Sequence, residues 1–565
     1  MKKLFYQKAV RLFFCSLMFW GCNSSDSSPA AADIGAINLK RGAVINCGPT
    51  DQQLGTVEFT VSANKNVQED FNLAIKFLHS FEYDEAEKVF AKIIDQQPTC
   101  AMAYWGVAMS NFHPLWTPPL PAELQKGSKA IAIAQAITSK TKKETGYINA
   151  INLFYKDADK TDHRSRCIKF EQAMNQLQQQ YPDDKEAAIF YALALTAAAD
   201  PADKTFTKQK KAGAILNALY PGQPNHPGII HYIIHTYDYP ELAGLALPAA
   251  RKYAAVAPSS AHAMHMPSHI FTRLGLWSEC INANLASVNA AKCYAEAAGI
   301  KGHWDEELHG MDYLVYGYLQ RGDNDAAKKQ WDYLKTITVT QPLNFKVAYA
   351  YAAIPSRYVL ENKLWKEAAA LKIHTDNIDW EKFQWQEAIL HFTRALGALH
   401  TANLQAAKSE LQTLKDLHQK LLQQKDDYKA NQVNIQITTA AAWINFKEGN
   451  NDEAVNLMQT AAAMEDKTEK HPVTPGEVIP ARELLADMLL QMDKPAEALK
   501  AYEEDLKKHP NRFNALYGAG LAAEKINDMD KAKQYYTQLT LVTGEFIANR
   551  REIQNARLFL KNKFN

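Results

Sequence analysis

The residues best suited to chemistry in this chain are histidines, and they are concentrated in one stretch. Between His226 and Asp312 stand His226, His231, His235, His262, His265, His269, His303 and His309, eight of the 17 histidines in the chain. His231/His235 and His265/His269 are pairs four residues apart, and the second pair follows the first by 34 residues at both positions (265 − 231 and 269 − 235). On a helix, residues i and i+4 share a face with Cβ atoms about 5–6 Å apart, so each pair presents two imidazoles in one direction. Imidazole is the commonest side-chain metal ligand near neutral pH. Joined by His309 and Asp312, the two pairs make a donor set for a transition metal such as Zn, Cu, Ni or Fe, and they could hold two ions as easily as one. Asp238, Tyr232, Tyr313 and Glu307 are the outer partners expected to orient these ligands. A protease of the zincin type is excluded, because Tyr232-Ile233-Ile234 and Met266-Pro267-Ser268 place no glutamate beside the first histidine of either pair. A structural or transported metal therefore stands beside a catalytic one, and the residues do not choose between them.

The elements that must position these side chains are repeated helices. FNLAIKFLHSFEYDEAEKVFAKIIDQQPT, from Phe71 to Thr99, has apolar residues at helical spacing, a polar turn at Glu82 to Asp84 and a closing Pro98. Small Ala74 and Ala86 with aromatic Phe90 and terminal Pro98 stand where the tetratricopeptide (TPR) consensus places them, and the unit resembles a TPR repeat closely. Similar units recur as ARELLADMLLQMDKPAEALKAYEEDLKKHPN and NALYGAGLAAEKINDMDKAKQYYTQL. The period of 34 residues matches, and about nine to eleven helical hairpins are expected. The predicted fold is all-α, a right-handed α-solenoid of TPR-like hairpins over residues 67–542, in which each hairpin buries its apolar face against its neighbours.

The TPR resemblance implies a concave groove lined by the second, fifth, ninth, twelfth and thirteenth positions of each first helix. It puts His262, His265 and His269 at the second, fifth and ninth positions of one repeat. His231 and His235 take the fifth and ninth of the repeat before, and His309, Asp312 and Tyr316 the second, fifth and ninth of the repeat after. His226, Asp238 and Arg357 are further candidates for the groove lining, as are His79 and His113, equivalent positions 34 residues apart. These last two lie in repeats expected to be distant from the metal site. Pro267 complicates the picture, because proline inside a helix removes a backbone bond and bends the turn. HYIIHTYDYPELA, HAMHMPSHIFTRLGLW, LHGMDYLVYGYLQ, AYAAIPSRYVLE and EKHPVTPGEVIPARELLADMLL together resemble a family of bacterial TPR-containing proteins, many of them exported, which brings no reaction with it.

A second reading makes the groove a site for a peptide or protein partner, gripped by Arg357, Arg273, Tyr237, His113 and Trp105. A third is a scaffold in an envelope complex. A formal net charge of +1 gives no electrostatic footprint for nucleic acid. His471, in the Pro-rich EKHPVTPG, belongs to an ordinary loop or to one folded back over the groove.

The chain opens with Lys2, Lys3, Lys8 and Arg11, an apolar run from Leu12 to Trp20, and Gly21-Cys22. This order reads as a signal peptide over residues 1–22 and resembles a bacterial lipobox, which implies lipidation of Cys22. The expected location is the cell envelope, at the outer membrane, with the lipid as the membrane contact. Residues 23–33 read as a flexible tether, 34–66 as an irregular arm or short strand pair, and 543–565 as a helical cap. Of seven cysteines, Cys15 and Cys22 lie in the leader, and Cys47, Cys100, Cys167, Cys280 and Cys293 suggest no disulfide framework.

Overall fold

The computed structural model describes residues 28–49, 53–372, 378–544 and 550–564. The leader, the tether up to Ser27 and Cys22 lie outside the described residues. What is described is an all-α solenoid of stacked antiparallel hairpins. In the first hairpin, helix Lys65–His79 buries Phe71, Ala74, Ile75 and Leu78, spaced on one face, against Ala86, Val89, Phe90 and Ile93 of Tyr83–Gln96. Many later helices open on an Asp or Asn whose side chain accepts from a first-turn amide, as at Asp184, Asp323, Asn403, Asp426 and Asp528. Such caps satisfy donors that the helix itself leaves free.

The solenoid winds back on itself, so its repeats do not touch their neighbours alone. Helix Lys65–His79 meets helix Pro227–Thr236, and Tyr294 donates to Glu85 (2.8 Å). The Trp277 indole donates to the Asn511 carbonyl (2.9 Å). A Cβ on Gly275 would lie 2.2 Å from the Pro510 carbonyl oxygen, so this approach of first half to last needs glycine. Arg512, fully buried, ties Glu361 (2.7 Å) to Glu483 (2.8 Å) across the same seam.

The ends of the chain depart from expectation in two ways. Helix Ala31–Ile37 starts inside the segment expected to be a tether, where Ala31, Ala32 and Ala36 are strong helix formers. Along the described residues of the arm that follows, Leu54, Val57, Phe59 and Val61 are buried on the helices, and side-chain oxygens take up the backbone amides of Lys40, Ile45, Phe59 and Ser62. Cys47 in this arm is bonded to Cys293 across 246 residues, correcting the expectation of no disulfide. A pairing that distant leaves no local spacing signal, since it depends on where the solenoid returns the chain. At the other end, helix Arg551–Phe564 packs Ile553, Ala556 and Phe559 onto the last hairpin.

Candidate metal centre

Three helical segments of one wall, Pro227–Thr236, Ala261–Arg273 and Asp305–Gln320, bring six histidines into one cluster. One ring nitrogen from each of His231, His235 and His262 lies within 4.8 Å of the others, as does one from each of His265, His269 and His309. His262, expected only to line the groove, completes the first set. The helix carrying the second pair is interrupted at Met266, where Pro267 begins a new first turn. Met266 keeps helical angles (φ −52°, ψ −37°), and the i, i+4 geometry survives the break. The Nε2 atoms of His265 and His269 are 3.1 Å apart. That of His231 stands 2.8 Å from His235 Nε2 and 3.2 Å from His262 Nε2. Two imidazole nitrogens on a tetrahedral ion at 2.0–2.1 Å would be about 3.3 Å apart.

In His231, His265 and His269 the outer nitrogen fixes which edge of the ring is a bare lone pair. His231 Nδ1–H donates to the His79 carbonyl (2.6 Å). His265 Nδ1–H donates to Asn284 Oδ1 (2.7 Å), whose own amide group is spent on the Cys280 carbonyl (2.8 Å). His269 Nδ1–H donates to Asp238 Oδ2 (3.1 Å). Tyr313 stands 3.4 Å from His269 Nε2, but its proton goes to the Val473 carbonyl (3.1 Å). The inner nitrogens of His265 and His269 are therefore two lone pairs facing one another in a buried site. Burial, reinforced by the neighbouring imidazoles, pushes His235, His262, His265 and His309 well below the usual histidine range. Burial pushes His231 down to about 3 and lowers His269 as well, against the pull of Asp238. Neutral imidazole is the form that binds a metal.

Asp238 backs the cluster from outside. It takes Arg273 Nε (2.9 Å) and Lys470 Nζ (3.2 Å) besides His269, and these cations hold its carboxyl well below the ordinary range despite burial. Aromatic rings cover the first set: Phe81 lies 4.4 Å from the His231 ring and 5.4 Å from that of His235, and Trp116 lies 5.0 Å from His235. Phe81 holds φ +57° in the turn after helix Lys65–His79, the position at which Lys363, Ala402, Asp493 and Asn527 also hold positive φ in later hairpins. Trp116 comes from the Pro-rich insertion Pro114 to Pro121. Neither ring was signalled by spacing, since each reaches the site only through the closure of the solenoid.

Other expected site residues stand elsewhere. Asp312 belongs to none of the three donor groups among the described residues, and it meets Arg357 Nε (3.2 Å). Burial raises it to about 6, with Arg357 opposing. Tyr316 packs under the Arg357 guanidinium (4.7 Å) and accepts from Arg512 (3.3 Å). His113 pairs with Glu123 (3.2 Å). Glu307 is taken by His303 (2.7 Å) and Tyr333 (2.8 Å), and Tyr232 by His79 (2.9 Å). His79 is not distant, because the superhelical turn sets its carbonyl against His231. Its ring and that of His226 share the buried Glu186 (3.0 and 2.8 Å), and a Cβ on Gly228 would lie 2.5 Å from the His79 ring. This third donor group is internally satisfied: His226 Nδ1 accepts the Ile229 amide, and Tyr232 meets His79 Nδ1. Against the opposing effect of burial, His226 and His79 hold Glu186 down to about 2.

The residues nominated to grip a partner are occupied. Trp105 packs in the core with Phe59, Tyr147 and Phe190, and Tyr237 is buried on Gly213. Arg357 grips the chain's own loop 467–480, donating to the carbonyls of Gly476 (2.7 Å) and Glu477 (2.5 Å). Tyr349 also donates to Gly476 (3.1 Å), and His471 sits among Phe345, Trp385 and Tyr428 at 4.8–5.8 Å. The loop thus folds into the groove, and Lys470 on it reaches Asp238.

No family model matches the chain, and no curated protein matches it. Solved structures similar to it include a chain of the APC/C hetero-tetramer Cut9–Hcn1, with 12% identity, a TM-score of 0.27, and 89% of this chain and 97% of that chain covered. Yeast Tom70 has 11% identity and a TM-score of 0.32, with 88% and 96% covered. An IFIT1 monomeric mutant with Gppp-AAAA has 12% identity and a TM-score of 0.32, with 82% and 95% covered.

Proposed function

We propose that this chain is an envelope-anchored repeat protein whose solenoid wall holds a transition metal on His231, His235, His262, His265, His269 and His309. The observation that carries the reading is the His265/His269 pair, whose Nδ1–H groups are committed to Asn284 and Asp238, leaving two lone pairs 3.1 Å apart in a buried site. A buried polar atom without a partner costs about 1–3 kcal/mol, and a cation between the two nitrogens removes that cost. Imidazole donors suit Zn, Cu, Ni or Fe. Asp238 and Asn284 serve the ligands as outer-shell partners, orienting the rings and raising their basicity. The basic and apolar leader ending in Gly21-Cys22 supports export and lipidation, and the Cys47–Cys293 bond fits an oxidising compartment. With Arg357 and the aromatic residues around His471 filled by loop 467–480, the groove does not favour a peptide partner at that end.

Elemental analysis of the purified full chain tests the reading. Wild type should carry, or take up, near-stoichiometric metal at neutral pH. The double change His265→Ala with His269→Ala should lower the bound metal while circular dichroism stays helical, and His113→Ala should leave the metal content unchanged. A wild type that stays metal-free when offered Zn, Cu, Ni and Fe(II) would make these histidines packing residues.

A further inference from the structure

We infer that the cluster is a dinuclear centre: His231, His235 and His262 hold one ion, His265, His269 and His309 hold a second, and the two share a small oxygen-donor anion. This rests on the metal reading above and goes beyond it in number and in ligand class.

The geometry divides the six histidines. Ligands on one ion at 2.0–2.1 Å must lie within about 4.2 Å of each other even when opposite. Each set of three closes within 4.8 Å, and the two sets remain separate groups. They nevertheless adjoin. His262 and His265 are three apart on one helical segment, which places them on the same face. The rings of His235 and His269, one from each set, have centroids 6.4 Å apart.

Three histidines leave one position open on a four-coordinate ion, the pattern of sites that bind a water-derived or exchangeable ligand. The outer sides are closed to such a ligand. His231 is backed by Tyr253 (5.1 Å) and Phe81, and His265 by Tyr313 (4.8 Å) and Asn284. Charge argues the same way. Two divalent ions on neutral imidazoles need an anion, and the nearby carboxylates are already engaged. Asp238 is matched by Arg273 and Lys470, and Glu82 is taken by Ser260 (2.7 Å) and the His262 amide (3.4 Å). An exogenous anion of hydroxide size between the two ions satisfies both open positions at once.

Copper(II) titration of the full chain, read by bound copper, by electron paramagnetic resonance and by azide binding, tests this. Two ions per chain are expected, with the resonance accounting for less than the bound copper because the ions are coupled, and with one azide per chain perturbing the absorption. His262→Ala and His309→Ala should each leave one ion that is fully detected, and the glutamine variants at the same positions repeat the test should alanine disturb folding. Two ions with full resonance intensity would overturn the shared anion. One ion, lost entirely in either variant, would overturn the dinuclear assignment and leave the metal reading standing. No copper at all, with Zn, Ni and Fe(II) also refused, would remove both.

Discussion

Asp238→Ala perturbs the site through its outer shell, and the structure sets the size of the effect. The carboxylate is buried against Arg273 at 2.9 Å, Lys470 at 3.2 Å and His269 at 3.1 Å. Removing it strands two cations, but they respond differently. Burial already brings Lys470 down to about 8, with Asp238 holding it up, so without Asp238 it sheds its proton near neutral pH at a cost of about 1.4 kcal/mol per pKa unit. Arg273 cannot deprotonate. An unpaired buried charge costs about 3–5 kcal/mol, and the lysine's escape puts the total near the lower end of that range, about 3 kcal/mol. Urea unfolding of metal-free protein at pH 7.5 should show this loss. Losing the acceptor for His269 Nδ1–H should also weaken metal binding by about 10–100-fold. Asp238→Asn keeps an oxygen for that proton and should recover most of the affinity without recovering the stability. A loss below about 1 kcal/mol, or equal affinities for the alanine and asparagine variants, would refute the role given to Asp238.

Three further outcomes follow from the same structure. Because the cluster's histidines titrate below the ordinary value of about 6.5, their neutral form persists to lower pH, and metal measured by equilibrium dialysis should be retained at pH 6. Without metal the sign reverses for stability: the unfolded chain takes up protons below about 6.5 that the folded cluster refuses, so the melting temperature should fall from pH 7 to pH 5. Cys47→Ser should destabilise the fold by up to about 5.5 kcal/mol, the loop-closure value for 246 residues, and a melting temperature unmoved by this change or by reductant would refute the pairing.

What the sequence made legible is what repeats locally. The apolar spacing of Phe71, Ala74, Ile75 and Leu78 specifies a helix face, and the doubled histidine step follows from that same repetition. What it left hidden depends on the return of the solenoid. His79 and Phe81 stand about 150 residues before His231, yet they touch it because helix Lys65–His79 closes on helix Pro227–Thr236. Asp312 carried the right chemistry at the expected register position, but Arg357, on the next inner helix, engages it. Cys47 met Cys293 by the same long-range closure, and an odd count of five cysteines beyond the leader argued against any such pair.

Loop 467–480 gives the groove a permanent competitor. It offers Arg357 two carbonyls and fills the space between Phe345, Trp385 and Tyr428 with His471, as a bound peptide would. Being tethered at both ends, it competes at an effective concentration of order millimolar, which a separate peptide rarely reaches. An outside segment of ordinary affinity would lose that contest. One that won would have to expel Lys470 from Asp238, and so would announce its arrival directly to the carboxylate that holds His269.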